Sequence, residues 1–125
     1  MDGQKLKILI VDDYKPCRDA SILMIEEIFA KPVELITADD GLEAYEKIEA
    51  AGKESVPFGI LVTDYNMPEM DGCELSGLVR EMHPSIKIVM ISAEIPTQRP
   101  DYIDYLVRKP STFETLERVF NKIIN

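Results

Sequence analysis

At 125 residues, with 46% hydrophobic and 30% charged positions, the chain is sized for one domain with a real core and is too short for two. Its 23 acidic against 14 basic residues leave a formal net charge of −9. That balance disfavours nucleic-acid phosphates and anionic membranes as partners and suits cations or basic protein surfaces.

Cys17 and Cys73 form neither a C-x-x-C pair nor a disulfide framework and are expected as small reduced residues in helices. The start carries no signal-peptide pattern and no stretch reaches transmembrane length, so a cytoplasmic protein is expected.

Residues 5–11 form a short run rich in Ile, Leu and Val that ends at Asp12-Asp13, the pattern of a strand buried on both faces. Pro16 suits the first turn of a helix, and Ile22, Ile25, Ile28 and Phe29 recur at helical spacing before Lys31-Pro32 stops it. Residues 33–38 predict a second strand. Asp39-Asp40-Gly41 then makes a turn, with Asp40 as the cap of a helix whose inner face is Leu42, Tyr45 and Ile48 and whose end is Gly52.

Residues 58–63 predict a third strand, ending at Asp64. A loop over 66–72 follows, with Asp71 as N-cap and Met67 and Met70 as loop packing. Leu75, Leu78, Val79 and Met82 carry a third helix to His83-Pro84. His83, the only histidine, is expected as an exposed helix-end residue without a role. Residues 86–91 predict a fourth strand ending at Ser92, and 105–108 a fifth ending at Lys109-Pro110. Ser111 or Thr112 caps a last helix with Glu114 in its first turn and Phe113, Leu116, Val119, Phe120, Ile123 and Ile124 on one face.

The alternation of strands and helices predicts a parallel sheet with helices on both sides. One interval breaks the pattern. Residues 93–103 read AEIPTQRPDYI, no longer than the about 11 residues of an ordinary helix, yet they must also supply both connections. Pro96 and Pro100 each remove an amide donor, and no apolar periodicity compensates. A helix here is expected to be absent or reduced to a turn, with Ile95, Tyr102 and Ile103 anchoring the segment on the core.

In open parallel α/β sheets ligands bind outside the carboxyl ends of the strands. Asp12 and Asp13, Asp64, Ser92 and Lys109 all stand at such ends: three carboxylates, a hydroxyl and an ammonium on one edge. Clustered carboxylates raise one another's pKa unless a counter-charge is present. Mg²⁺, a hard cation that takes one or two carboxylates plus waters, answers that need. A carboxylate can also attack a phosphoryl group, and phosphoryl transfer mainly needs positioning and neutralised oxygens. No phosphate-binding G-x-x-x-x-G-K-[ST] loop and no Ser-His-Asp set is present.

The acid pair Asp12-Asp13 after ILIV, LVTDYNMPEMDG around Asp64, Ser92-Ala93 after IVMI, Lys109-Pro110, and TADDGLEA over 37–44 together resemble the response regulator receiver domain, along essentially the whole chain. The resemblance implies a single receiver domain over 1–125 with a flavodoxin-like doubly wound five-stranded sheet in the order 2-1-3-4-5. It implies Asp64 as phosphoacceptor, with Asp13, Asp64 and the Asn66 carbonyl as Mg²⁺ ligands and Asp12 holding a metal-bound water. Lys109 would pair with Asp64 and then with phosphoryl oxygens, and Ser92 would bond a phosphoryl oxygen and draw its loop inward. Asn66 and Glu94 would flank the attacking water and tune dephosphorylation. A cis peptide at Lys109-Pro110 is common in this family.

The implied partners are a histidine kinase or histidine phosphotransfer protein and a downstream protein target, with no direct nucleic-acid or membrane contact and a monomeric or weakly dimeric state. Such a protein catalyses its own phosphotransfer and autodephosphorylation without being a turnover enzyme. The alternatives are a pseudo-receiver that no longer cycles phosphate and a haloacid-dehalogenase-like phosphatase. The first is expected to lose Asp64 or Lys109, and the second wants Asp where Asn66 stands. One departure is plain: Leu106 occupies the family's switch-aromatic position, and Tyr105, one residue earlier, faces the other side of a strand.

Overall fold

Runs of Ile, Leu and Val without a polar face can be satisfied only between two apolar layers. The computed structural model, which describes residues 5–54, 56–94 and 100–124, buries them that way. The elements are β1 (Leu6–Val11), α1 (Lys15–Ile28), β2 (Val33–Ala38), α2 (Gly41–Lys53), β3 (Ile60–Thr63), α3 (Gly72–Met82), β4 (Lys87–Ser92), β5 (Tyr105–Arg108) and α4 (Phe113–Ile124). The sheet order is β2-β1-β3-β4-β5, and every pair is parallel, as the flavodoxin-like expectation required.

Alternate strand residues feed two cores. Leu9, Val11, Leu61, Ile88 and Met90 pack with Ala44, Ile48, Leu75 and Val79 of α2 and α3. Ile8, Ile10, Ile60, Val62, Val89 and Ile91 pack with Ile25 of α1 and Leu116 and Phe120 of α4. Full burial of such a side chain contributes about 1.5–3 kcal/mol, so these layers dominate the stability of the edge that carries the site. Tyr105 joins the second core and Leu106 the first, which confirms that they face opposite sides.

The caps agree with expectation at Asp40, whose carboxylate accepts the Glu43 N–H at 2.8 Å, and at Asp71, which forms a reciprocal capping box with Glu74. Of the two candidates before α4, Thr112 provides the cap, accepting the Thr115 N–H at 3.2 Å.

Three details correct the reading of α2 and α3. Leu42 is 55% exposed and Leu78 39%. The inner face of α2 is Ala44, Ile48 and Ala51, whose small alanines let α2 lie close to its neighbours; Leu42 sits two residues, about 200°, from Ala44. Gly52 lies inside α2 and does not end it. It accommodates the His83 ring, whose Cε1 would be 2.6 Å from a Cβ at that position, so His83 is half-buried.

No helix lies between β4 and β5 among the described residues; residues 95–99, and with them the expected anchor Ile95, lie outside that description. The other two anchors are in place, Ile103 at 1% exposure and Tyr102 against the α2/α3-side core. Arg80 of α3 ties this region down. Its guanidinium donates to the carbonyls of Pro84 (2.6 Å), Ile86 (2.7 Å) and Tyr102 (2.8 Å) and to Asp104 Oδ2 (2.7 Å). The same Asp104 oxygen accepts the Ile88 N–H at 2.8 Å. Arg80→Ala strands several part-buried acceptors at once and is expected to lower stability by about 2 kcal/mol. Urea unfolding checks this, and a transition midpoint equal to the parent's contradicts it.

Candidate functional site

The carboxyl ends of β1 and β3 lie side by side because the strands pair in parallel, Val11 opposite Thr63. The next residues, Asp12 and Asp64, are therefore neighbours. Both continue the ladder: the Asp64 N–H donates to Val11 O at 3.0 Å and the Asp12 N–H to Ala38 O at 3.3 Å. Asp12 is 5% exposed, Asp64 half-buried and Asp13 exposed. One carboxylate oxygen from each of Asp12, Asp13 and Asp64 falls within 4.8 Å of the others.

Lys109 enters from the end of β5. Its ammonium is 3.0 Å from Asp12 Oδ2 and 3.5 Å from Asp64 Oδ2. Burial works to lower the Lys109 pKa, but the hydrogen bond and charge of Asp12, then the charge of Asp64, outweigh it and hold the pKa above the ordinary lysine value. Burial pushes the Asp64 carboxyl above the usual aspartate value; Lys109 opposes this and Asp12 adds to it. Three converging carboxylates beside Lys109 form a donor set of hard oxygens with excess negative charge, and that fits a small divalent cation.

Ser92, the last residue of β4, is 1% exposed. Its carbonyl accepts the Lys109 N–H at 2.9 Å, and its Oγ accepts the Glu94 N–H at 3.2 Å, which leaves the hydroxyl hydrogen free to donate elsewhere. Asn66 and Glu94 meet: Asn66 Nδ2 donates to Glu94 Oε1 at 2.7 Å. The structure thus gathers every residue singled out for the site onto one sheet edge. The Lys109-Pro110 peptide is cis.

Two residues escaped the sequence reading. A Cβ on Gly72 would stand 2.1 Å from Asp64 O, and the Gly72 N–H donates to Tyr65 O at 2.7 Å. The start of α3 is therefore seated directly on the backbone of Asp64, which only glycine permits. Arg18 in the first turns of α1 donates to Asp12 O at 2.7 Å. Its position five residues after Asp13 was the one available signal, because a helix starting near Lys15 brings its first turns back over the end of β1.

The profile of the response regulator receiver domain matches residues 8–119. The chain belongs to that family, whose members serve two-component signalling. Chemotaxis protein CheY1 of Helicobacter pylori is 30% identical over 126 residues, which cover 95% of this chain and 97% of that protein. Transcription factor SKN7 of Chaetomium thermophilum is 27% identical over 124 residues, 95% of this chain, but the chain spans only 15% of SKN7. Among solved structures, chemotaxis protein CheY4 of Vibrio cholerae matches with a TM-score of 0.80 at 26% identity, covering 96% of this chain and 99% of that one. Response regulator TrrA of Thermotoga maritima, solved in complex with Mg²⁺-BeF, matches with a TM-score of 0.77 at 27% identity, covering 94% and 98%. Among the described residues no helix is long and apolar enough to cross a membrane.

Proposed function

We propose that this domain is a phosphorylation-operated switch that accepts a phosphoryl group on Asp64 from a histidine kinase or histidine phosphotransfer protein and signals through contact with a downstream protein. The observation that carries this reading is the Lys109 ammonium between Asp12 and Asp64, with Asp13 completing the carboxylate cluster.

In the transfer, an Asp64 oxygen attacks phosphorus as the bond to the donor imidazole nitrogen breaks, and the imidazole leaves with the electron pair of that bond. Lys109 already faces Asp64 and supplies positive charge for the incoming equatorial oxygens. The Ser92 hydroxyl has its hydrogen available for one of them. Asp12, Asp13 and Asp64, with the Asn66 carbonyl, would hold Mg²⁺, which supplies the remaining charge neutralisation when bound. TrrA, bound to Mg²⁺-BeF, supports that assignment by likeness. On this reading the domain works in the cytoplasm, as a monomer or weak dimer.

The Asn66–Glu94 hydrogen bond joins the segments that follow β3 and β4, and on the proposed reading these two polar side chains flank the water that attacks the phosphoryl group. Spontaneous loss of label is therefore expected to slow by about tenfold, 1.4 kcal/mol in barrier, when both residues are replaced by larger ones. Decay followed in purified protein without phosphatase checks this, and unchanged or faster decay contradicts it. A phosphotransfer screen against histidine kinases tests the function as a whole. Rapid labelling by one kinase is the expected result; no transfer from any, with no label from small phosphodonors, points to a pseudo-receiver.

A further inference from the structure

Asp13 is the least constrained member of the carboxylate cluster. It is exposed, whereas Asp12 and Asp64 are held by burial, by Lys109 and by backbone hydrogen bonds to Tyr14 and Tyr65. The peptide plane that joins Asp13 to Asp12 sets the position of the Asp13 Cα and the line of its N–Cα bond, and so limits the directions its carboxylate can take.

One end of that plane is gripped. The Asp12 carbonyl accepts a hydrogen bond from Arg18 Nη1 at 2.7 Å. The Arg18 side chain is only 12% exposed, and the same nitrogen lies 3.0 Å from Asp39 Oδ1 in the turn before α2. Asp39 is itself held: its N–H donates to Glu43 Oε1 at 2.6 Å. Glu43 Oε2 pairs with Lys47 at 3.3 Å, and Lys47 donates to Thr37 O at 2.6 Å. A chain of polar contacts thus runs from α2 and the end of β2, through Arg18, to the one carbonyl adjoining Asp13. On its other side Asp12 is fixed by its own N–H on Ala38 O.

We infer that Arg18 is a positioning residue for the metal site: by clamping the Asp12 carbonyl against the Asp39 turn it presets the Asp12–Asp13 peptide so that the Asp13 carboxylate converges with Asp12 and Asp64. This rests on the reading of those three residues as a divalent-cation site. Arg18 is also a cation close to that site, so by charge alone it weakens Mg²⁺ binding. The two effects have opposite signs, which makes the assignment testable. Residues that orient metal ligands are commonly worth about 10- to 100-fold in metal affinity.

The test is Mg²⁺ titration of the full chain, free of phosphodonor, followed by calorimetry and by the amide resonance of Asp13. Arg18→Ala is expected to bind Mg²⁺ about tenfold more weakly than the parent and to shift the Asp13 amide already in the metal-free protein. Arg18→Lys, which keeps a donor within reach of the Asp12 carbonyl, is expected to recover most of the affinity. If Arg18→Ala does not fold, Arg18→Gln takes its place with the same expected direction. Asp13→Asn serves as control. If the parent binds Mg²⁺ and Asp13→Asn loses it, while the Arg18 variant binds as well as or better than the parent, the inference is overturned and the cation site stands. If the parent does not bind Mg²⁺, or Asp13→Asn binds it equally well, the cation site itself is overturned, and the role of Arg18 with it.

Discussion

Asp64→Asn is expected to abolish acid-labile, hydroxylamine-sensitive phosphorylation while leaving the fold intact. The substitution keeps the shape and the contact with the Tyr65 N–H but removes the nucleophilic carboxylate. It also has an expected stability effect of definite sign. Burial, with Asp12 adding, holds the Asp64 pKa above its ordinary value, so the folded chain binds that proton more tightly than the unfolded chain. The contribution of Asp64 to stability is then fully present below the ordinary aspartate value and is lost as pH rises through the raised folded pKa.

At neutral pH in chelator, an uncharged Asn at position 64 relieves that cost, and Lys109 keeps its 3.0 Å partner Asp12. The expected result is a higher Tm for Asp64→Asn than for the parent. Thermal unfolding in chelator from acid to neutral pH reads it: the advantage of Asp64→Asn should appear above the raised pKa and vanish in acid. Label that persists on the variant and maps to Thr63 or Ser92 sinks the nucleophile assignment. A melting temperature below the parent's at neutral pH sinks the electrostatic account.

The largest structural effect is expected at Gly72. A Cβ there would lie 2.1 Å from Asp64 O, and also 3.0 Å from the Asp64 carbonyl carbon and from Met90 Cε. Met90 can turn aside, but the Asp64 backbone belongs to the end of β3 and is tied to Val11 O. Gly72→Ala must therefore push α3 off the sheet or displace Asp64, at a cost of about 3 kcal/mol or more. Because the displaced group is the proposed phosphoacceptor itself, cation affinity and phosphorylation should fall together with stability. Urea unfolding with parallel Mg²⁺ titration checks this, and a variant as stable as the parent contradicts the close approach.

The site was legible in the sequence for a topological reason. Apolar runs end at Asp12, Asp64, Ser92 and Lys109, and a parallel sheet brings all such ends to one edge, so no long-range detail was needed. The strands over 33–38 and 105–108 have the expected bounds, while β3 begins two residues later than expected and β4 is shifted by one. Such ends depend on where a neighbouring strand stops pairing.

Periodicity misassigned Leu42, because α2 is packed through alanines that a search for large apolar residues passes over. The seating of Gly72 on Asp64, the Arg18 clamp, the Arg80 network and the Asn66–Glu94 bond all join positions brought together only by the tertiary fold. Local pattern carries no trace of these contacts beyond the position of Arg18 five residues after Asp13. The expectation of no regular helix after β4, met among the described residues, was different: its signal was two prolines and a short interval, both local.

The most direct measurement of the central claim is the intact mass of the purified protein after incubation with a small phosphodonor such as acetyl phosphate, with Mg²⁺ and in excess chelator. A mass increase of one phosphoryl group per chain, seen only with Mg²⁺ and mapped to Asp64, is the predicted result. Equal labelling in chelator, or no labelling of correctly folded protein in Mg²⁺, would contradict it.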